Sequence, residues 1–103
     1  MTYQVIVEPT ADEGIRESCR WIAEHRSAAA AVKWLDSIEK TIFTLRTLPY
    51  RCPVAAENDR FSEEIRELLH GKRPSRYRVL FTIRDDAVHV LYVRHHAQNE
   101  VEP

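Results

Sequence analysis

The sequence predicts an α+β fold, ordered β-α-α-β-β-β. An N-terminal strand and an antiparallel helical hairpin pack on one face of a mostly antiparallel sheet. Three observations predict it. Apolar residues recur at helical spacing in two successive segments between Thr10 and Leu48. Two runs rich in β-branched and aromatic residues, ending at Ile83 and beginning at Val88, flank Asp85-Asp86 in the manner of a β-hairpin. A short alternating stretch, Tyr3, Val5 and Val7, comes before the helices. Helices in one run and strands in the next segregate into layers rather than interleave.

Each element follows from local chemistry. Residues 2–8 read as a strand that Pro9 stops. Thr10 and Glu13 have capping-box spacing, so a helix is expected to start there. Ile15, Cys19 and Ile22 share one face of it, up to about His25. Gly14 inside that helix costs about 1 kcal/mol relative to alanine. Ser27 can cap a second helix, opened by Ala28–Ala31 and carried by Leu35, Ile38, Ile42 and Leu45 to Leu48, where Pro49 ends it. So short a link forces the two helices antiparallel.

Residues 49–60 read as a surface loop. Residues 61–70 fit either period, Phe61, Ile65 and Leu68 suiting a helix and Ile65, Glu67 and Leu69 a strand. The strand is preferred because a lone two-stranded hairpin cannot organise a domain. Gly71 and Pro74 turn the chain into the main hairpin. Asp85-Asp86 lacks the glycine of a tight primed turn, so a three-residue loop is expected, which puts Arg78, Arg94 and His96 on one face. That sheet is apolar on both sides, through Val79, Phe81 and Ile83 on one and Leu80 on the other. With helices on one side alone, a protein partner is expected to cover the second.

Composition narrows the function classes. At 103 residues one domain, spanning 1–103, is expected. A net charge of −1 with 30% charged residues excludes a disordered chain and whole-molecule steering onto nucleic acid. No apolar run approaches a membrane span, and the N-terminus lacks the basic and apolar regions of a signal peptide, so a cytoplasmic protein that does not contact membrane is expected. Cys19 and Cys52 are then reduced thiols, Cys19 on the helix core face. Trp21 and Trp34 are expected to pack between helices. His89, His95 and His96 form no metal set, because His95 and His96 point to opposite faces and no Cys or carboxylate completes a site. Neither metal nor cofactor is expected. Charge is nonetheless uneven. Lys72, Arg73, Arg76, Arg78 and Arg84 follow one another with no acid among them.

The run from Leu68 through His70-Gly71-Lys72-Arg73-Pro74-Ser75-Arg76-Tyr77-Arg78-Val79-Leu80-Phe81 to Val93-Arg94-His95 resembles the RelE/ParE superfamily, the toxin halves of bacterial type II toxin–antitoxin modules. Ala11-Asp12, Trp21-Ile22 and the Leu48-Pro49 break add to the likeness, which covers nearly the whole chain. The resemblance implies the same β-α-α-β-β-β fold. It also implies a cognate ParD/RelB-like antitoxin that wraps the toxin with a helical or extended segment, giving a toxin–antitoxin hetero-oligomer. RelE-like members cut messenger RNA on the ribosome with basic residues and sometimes a histidine. ParE-like members poison DNA gyrase without a catalytic constellation.

Carried over residue by residue, Arg78 matches the strand arginine that contacts the scissile phosphate in nuclease members. His96 matches the C-terminal histidine of the YoeB branch. The paired lysines of the RelE type fall on Leu69 and Gly71, the closing arginine on Gln98, and the tyrosine after the histidine on Ala97. The ParE-like reading is therefore preferred: a growth-inhibiting toxin of the kind tied to plasmid stabilization, acting by binding DNA gyrase. The near-neutral charge agrees, since a ribosome-directed nuclease is expected to be strongly basic. The alternatives are a ribosome-dependent endoribonuclease using Arg78 and His96 as catalytic residues, and an attenuated toxin kept as an antitoxin-binding module. Lys72, Arg73, Arg76, Arg78, Leu80, Arg94 and His95 are the candidate target- or antitoxin-binding residues.

Overall fold

The computed structural model describes residues 1–103. Strand β1 (Gln4–Val7) leads into helices α1 (Pro9–His25) and α2 (Ala28–Phe43). Three short 3-10 turns follow, at Thr44–Arg46, Pro49–Arg51 and Ala56–Arg60. Strands β2 (Arg66–His70), β3 (Tyr77–Arg84) and β4 (Ala87–His95) complete the chain of elements. The sheet runs β1-β4-β3-β2, with β1 parallel to β4 and the other two pairings antiparallel. The predicted α+β order holds, and residues 66–70 are strand.

Helix α1 begins one residue before the expected capping box. Glu8 is its N-cap and makes no side-chain capping bond, while Pro9 takes the first turn, where its missing N–H is no loss. Ser27 caps α2 as expected, its Oγ accepting from the Ala30 amide at 2.9 Å. That helix stops at Phe43, short of Leu48, and tightens into the 3-10 turn at Thr44–Arg46. Pro49 disfavours a helical Leu48, and Leu48 instead takes φ 50 and ψ 52.

The hairpin between β3 and β4 differs from expectation in a way that leaves its faces unchanged. Arg84 pairs with Ala87, so Asp85-Asp86 is a two-residue turn, not three, and Asp85 supplies the left-handed residue at φ 54. Further along, Phe81 pairs with Val90 but Leu80 with Tyr92, leaving Leu91 as an extra residue, a β-bulge. The bulge adds the one residue that the shorter loop withholds. Arg78 accordingly lies opposite Arg94.

The helices cover one face of the sheet, where Ala11, Ile15, Ile38, Ile42 and Leu45 meet Val79, Phe81, Val88, Val90 and Val93. The second face is not open, as the sequence led us to expect. Leu80 is buried there with Ala55, Ile65 and Val101, against Phe61, Leu91 and Tyr92. Residues 49–60 are thus partly interior: Cys52, Ala55 and Glu57 are all buried. The chain covers its own sheet with segments whose composition reads as loop.

Gly14 earns its helix position by packing. A Cβ there would lie 2.5 Å from the Val93 carbonyl oxygen, so only glycine lets α1 come this close to β4. Neither tryptophan packs between the helices as expected: Trp34 packs on Tyr77 of β3 with ring centres 4.8 Å apart, and Trp21 is 53% exposed and stacks on His25. Both cysteines are free, Cys19 half-buried. No helix is long and apolar enough to cross a membrane.

Candidate functional site

Arg78 rises from the start of β3 between two buried neighbours, Tyr77 and Val79. A guanidinium so placed needs carboxylates, and it has two. Its Nη1 and Nη2 donate to Glu57 Oε2 and Oε1 at 2.8 and 2.6 Å, a bidentate fork, and its Nε donates to Glu67 Oε1 at 2.6 Å. Glu57 is fully buried and also accepts from the Val101 amide at 3.0 Å. The Arg78 hydrogen bonds hold the Glu57 carboxyl down at about 2, against the upward push of burial. The two carboxylates raise the Arg78 pKa, hydrogen bonding to Glu57 foremost.

Every nitrogen of this guanidinium therefore already faces a carboxylate. A phosphate arriving at Arg78 would meet two negative charges and would have to displace them. Neither Glu57 nor Glu67 is among the site residues expected from the sequence. The only available signal was Arg78 itself, since an arginine inside an apolar strand calls for buried acids. Nothing in a loop-like stretch said which acid that was.

The other singled-out residues gather at the same end of the sheet. Lys72 and Arg73 lie exposed in the β2–β3 connection, and neither has an ion-pair partner. Arg76 donates from Nε to the Gly71 carbonyl at 3.3 Å. Arg94 donates to the Asn99 carbonyl at 3.2 Å, and its Nε is buried with no partner. The Tyr77 and His95 rings meet edge-on at 5.1 Å. His95 Nδ1 accepts from the Ala97 amide at 3.1 Å, whereas His96 Nδ1 faces the Arg76 carbonyl at 3.2 Å. In the neutral ring the His96 proton thus belongs on Nδ1, which leaves a lone pair on Nε2. Arg84, at the far end of β3, is claimed by Glu63 at 2.6 and 2.8 Å. Leu80 faces Ala55, Ile65 and Val101 rather than solvent, so it offers no surface to a partner.

Two open grooves flank the helices. One, of about 850 Å³, lies between α1, the start of α2 and the end of β4, and is lined by Trp21, Trp34, Tyr77, Arg94 and His95 among others. The other, of about 900 Å³, runs where α1 and α2 meet β1. Its floor is Tyr3, Val5, Ile15, Leu35 and Phe43; Arg16, Arg20 and Arg46 stand around it with Asp12 and Glu39, and Arg16 is paired with Asp12 at 2.8 Å. Arg20 and Arg46 make no ion pair. Such a groove suits an amphipathic or extended segment with an apolar stripe and acidic flanks. No three of His, Cys, Asp and Glu stand together as metal ligands would.

A family model described as the ParE toxin of the type II toxin–antitoxin system parDE matches residues 5–100. Among solved structures, a chain of the chromosomal ParDE TA system from P. aeruginosa superposes with a TM-score of 0.73, covering 91% of this chain and 96% of that one. The two are 10% identical, so the likeness is one of fold. No curated protein sequence matches.

Proposed function

The chain belongs to the ParE toxin family of type II toxin–antitoxin systems, and from that premise we propose that residues 1–103 form one toxin domain that acts in the cytoplasm by binding, with DNA gyrase as its target. The observation that carries this reading is the saturation of Arg78 by Glu57 and Glu67. Phosphoryl transfer needs cations free to take up the charge developing on phosphorus. Here the cation best placed by sequence is committed to holding the fold together. His96 could lend a base at Nε2, but a base without its clamp is not a nuclease site.

The groove along α1, α2 and β1 is the seat we assign to a cognate antitoxin. Its apolar floor would take an amphipathic segment, and Arg20 and Arg46, which have no ion-pair partner, would meet that segment's acids. Neutralisation then follows from occupancy, by covering or distorting whatever surface meets the target.

The test is induced expression of the chain alone, then together with the short reading frame adjoining its gene. Filamentous growth with a DNA-damage response, relieved by the neighbouring product, is the expected outcome, together with inhibition of purified gyrase in a supercoiling assay. Rapid loss of translation with cut messages would replace this reading by the nuclease, and unaffected growth would end both.

A further inference from the structure

Leu48 is the one aliphatic residue that the fold holds out in strained backbone. Its φ of 50 places it in the left-handed region, where a side chain crowds its own carbonyl, and its side chain is 71% exposed. Nothing in the core requires this leucine. Strain of this kind persists only where the surroundings enforce it, and here the enforcing group is Arg51. Its guanidinium donates to the carbonyls of Thr47 and Leu48 at 2.7 and 3.1 Å and to Thr44 Oγ1 at 2.9 Å. Behind it, Pro49 is buried, and Thr47 bridges to Thr2 beside β1. Leu48 is thus a fixed knob.

The surface around it has a definite chemistry. Phe43 and Tyr50 are about half exposed, and Arg46 lies over the Phe43 ring at 4.5 Å. From Thr41 to Ala56 there is no acid, and neither Arg46 nor Arg51 has an ion-pair partner. An unfolded segment that wraps a protein seeks a groove in which to lay its own side chains. A rigid projecting leucine asks for the opposite, a cavity already formed in its partner. Nucleic acid offers no apolar cavity, and a second copy would set Arg46 and Arg51 against the same cations.

We propose that Leu48, with Tyr50 and Phe43 beside it, is the anchor by which this toxin docks on its target, a folded protein with a preformed apolar pocket and an acidic rim. The proposal rests on the reading of the chain as a growth-inhibiting toxin. The knob adjoins the antitoxin groove, which shares Phe43 and Arg46 with it, whereas Leu48 and Tyr50 belong to the knob alone.

Glycine adopts φ 50 without the crowding that leucine suffers, so Leu48→Gly removes the knob while easing the backbone. The variant is expected to melt at or above the wild-type temperature and to co-purify with the adjoining antitoxin as the wild type does. Yet it should fail to arrest growth on induction, and about 30-fold more of it should be needed for half-inhibition of purified gyrase, the loss of a typical buried anchor. Leu48→Met, which restores an apolar knob, should restore arrest. A Leu48→Gly chain that arrests growth like wild type overturns the proposal and leaves the toxin reading intact. Loss of antitoxin binding in that variant overturns it too, by making Leu48 an antitoxin contact. Wild-type dimerisation that this variant abolishes, with arrest unaltered, assigns the knob to self-association instead. Wild-type chain that leaves growth unaffected overturns both readings.

Discussion

Arg78 and Glu57 show how one residue can change meaning when its neighbours are known. In sequence, Arg78 is a cation near the end of a hairpin and a candidate for chemistry. In the fold it is a tie among three segments: β3 supplies the guanidinium, the 56–60 turn and β2 supply the carboxylates, and Val101 docks on the same Glu57. Glu57 titrates far below the 4.5 of an unconstrained glutamate, at about 2. Because its folded pKa is depressed, its stabilisation is fully present above the unfolded value and is lost as the pH falls from about 4.5 towards 2. The difference corresponds to roughly 3 kcal/mol. Glu57→Gln should therefore lower stability at pH 7 by about 3 kcal/mol, leaving Arg78 half-compensated. It should also flatten the acid side of the stability curve. Urea titrations of both proteins at a series of pH values measure this, and parallel curves at every pH would refute it.

Between elements, the close crossing of α1 over β4 is set by Gly14. Helix propensity alone favours Gly14→Ala by about 1 kcal/mol. The new methyl group, however, would meet the backbone oxygen of Val93, which a strand in mid-sheet cannot move cheaply. The expected net effect is a loss of about 1–3 kcal/mol, the range for overpacking. A chemical denaturation midpoint at or above wild type would show that the helix can slide instead. Periodicity shows both helices and the hairpin, because their apolar spacing is a local property of the chain, whereas the strand at 66–70 follows only from the hairpin's need for a third strand. The bulge at Leu91 was hidden, since an extra residue in a run of Val, Leu and Tyr alters no pattern. The cover over the second face was hidden for a different reason. Of its anchors, Ile65 and Val101 are isolated apolar residues in polar stretches and Ala55 sits in a short loop of small residues, and their burial depends on strands far away in sequence. Among the site residues, Arg78 lies opposite Arg94 as expected, but only because the bulge at Leu91 makes up for a turn one residue shorter than expected. Its commitment to Glu57 and Glu67 was not legible, because ion pairing between distant segments leaves no spacing to read.

At the scale of the whole molecule, a small chain with a divided core has little stability in hand. A partner that binds only the folded state adds to it by mass action, about 2.7 kcal/mol when present at a hundred times its dissociation constant. The antitoxin is therefore expected to raise the melting temperature by several degrees at saturation. Differential scanning calorimetry of the free and bound toxin measures the shift, and an unchanged transition would exclude the α1, α2 and β1 groove as a tight seat. Long apolar positions that sequence leaves exposed, such as Leu48, then divide from those that the fold conceals, such as Leu80, and that division separates candidate docking surface from core.

Strand β4 lies between β1 and β3 and beneath α1. It is the last of the four strands to be synthesised, yet the first strand pairs with no other. During translation β1 and both helices emerge early and must wait, with their apolar faces uncovered, until β4 arrives. Chains made domain by domain usually settle as they emerge, but this sheet cannot close until β4 has left the ribosome. A truncated message from the same gene should therefore yield harmless, quickly degraded protein.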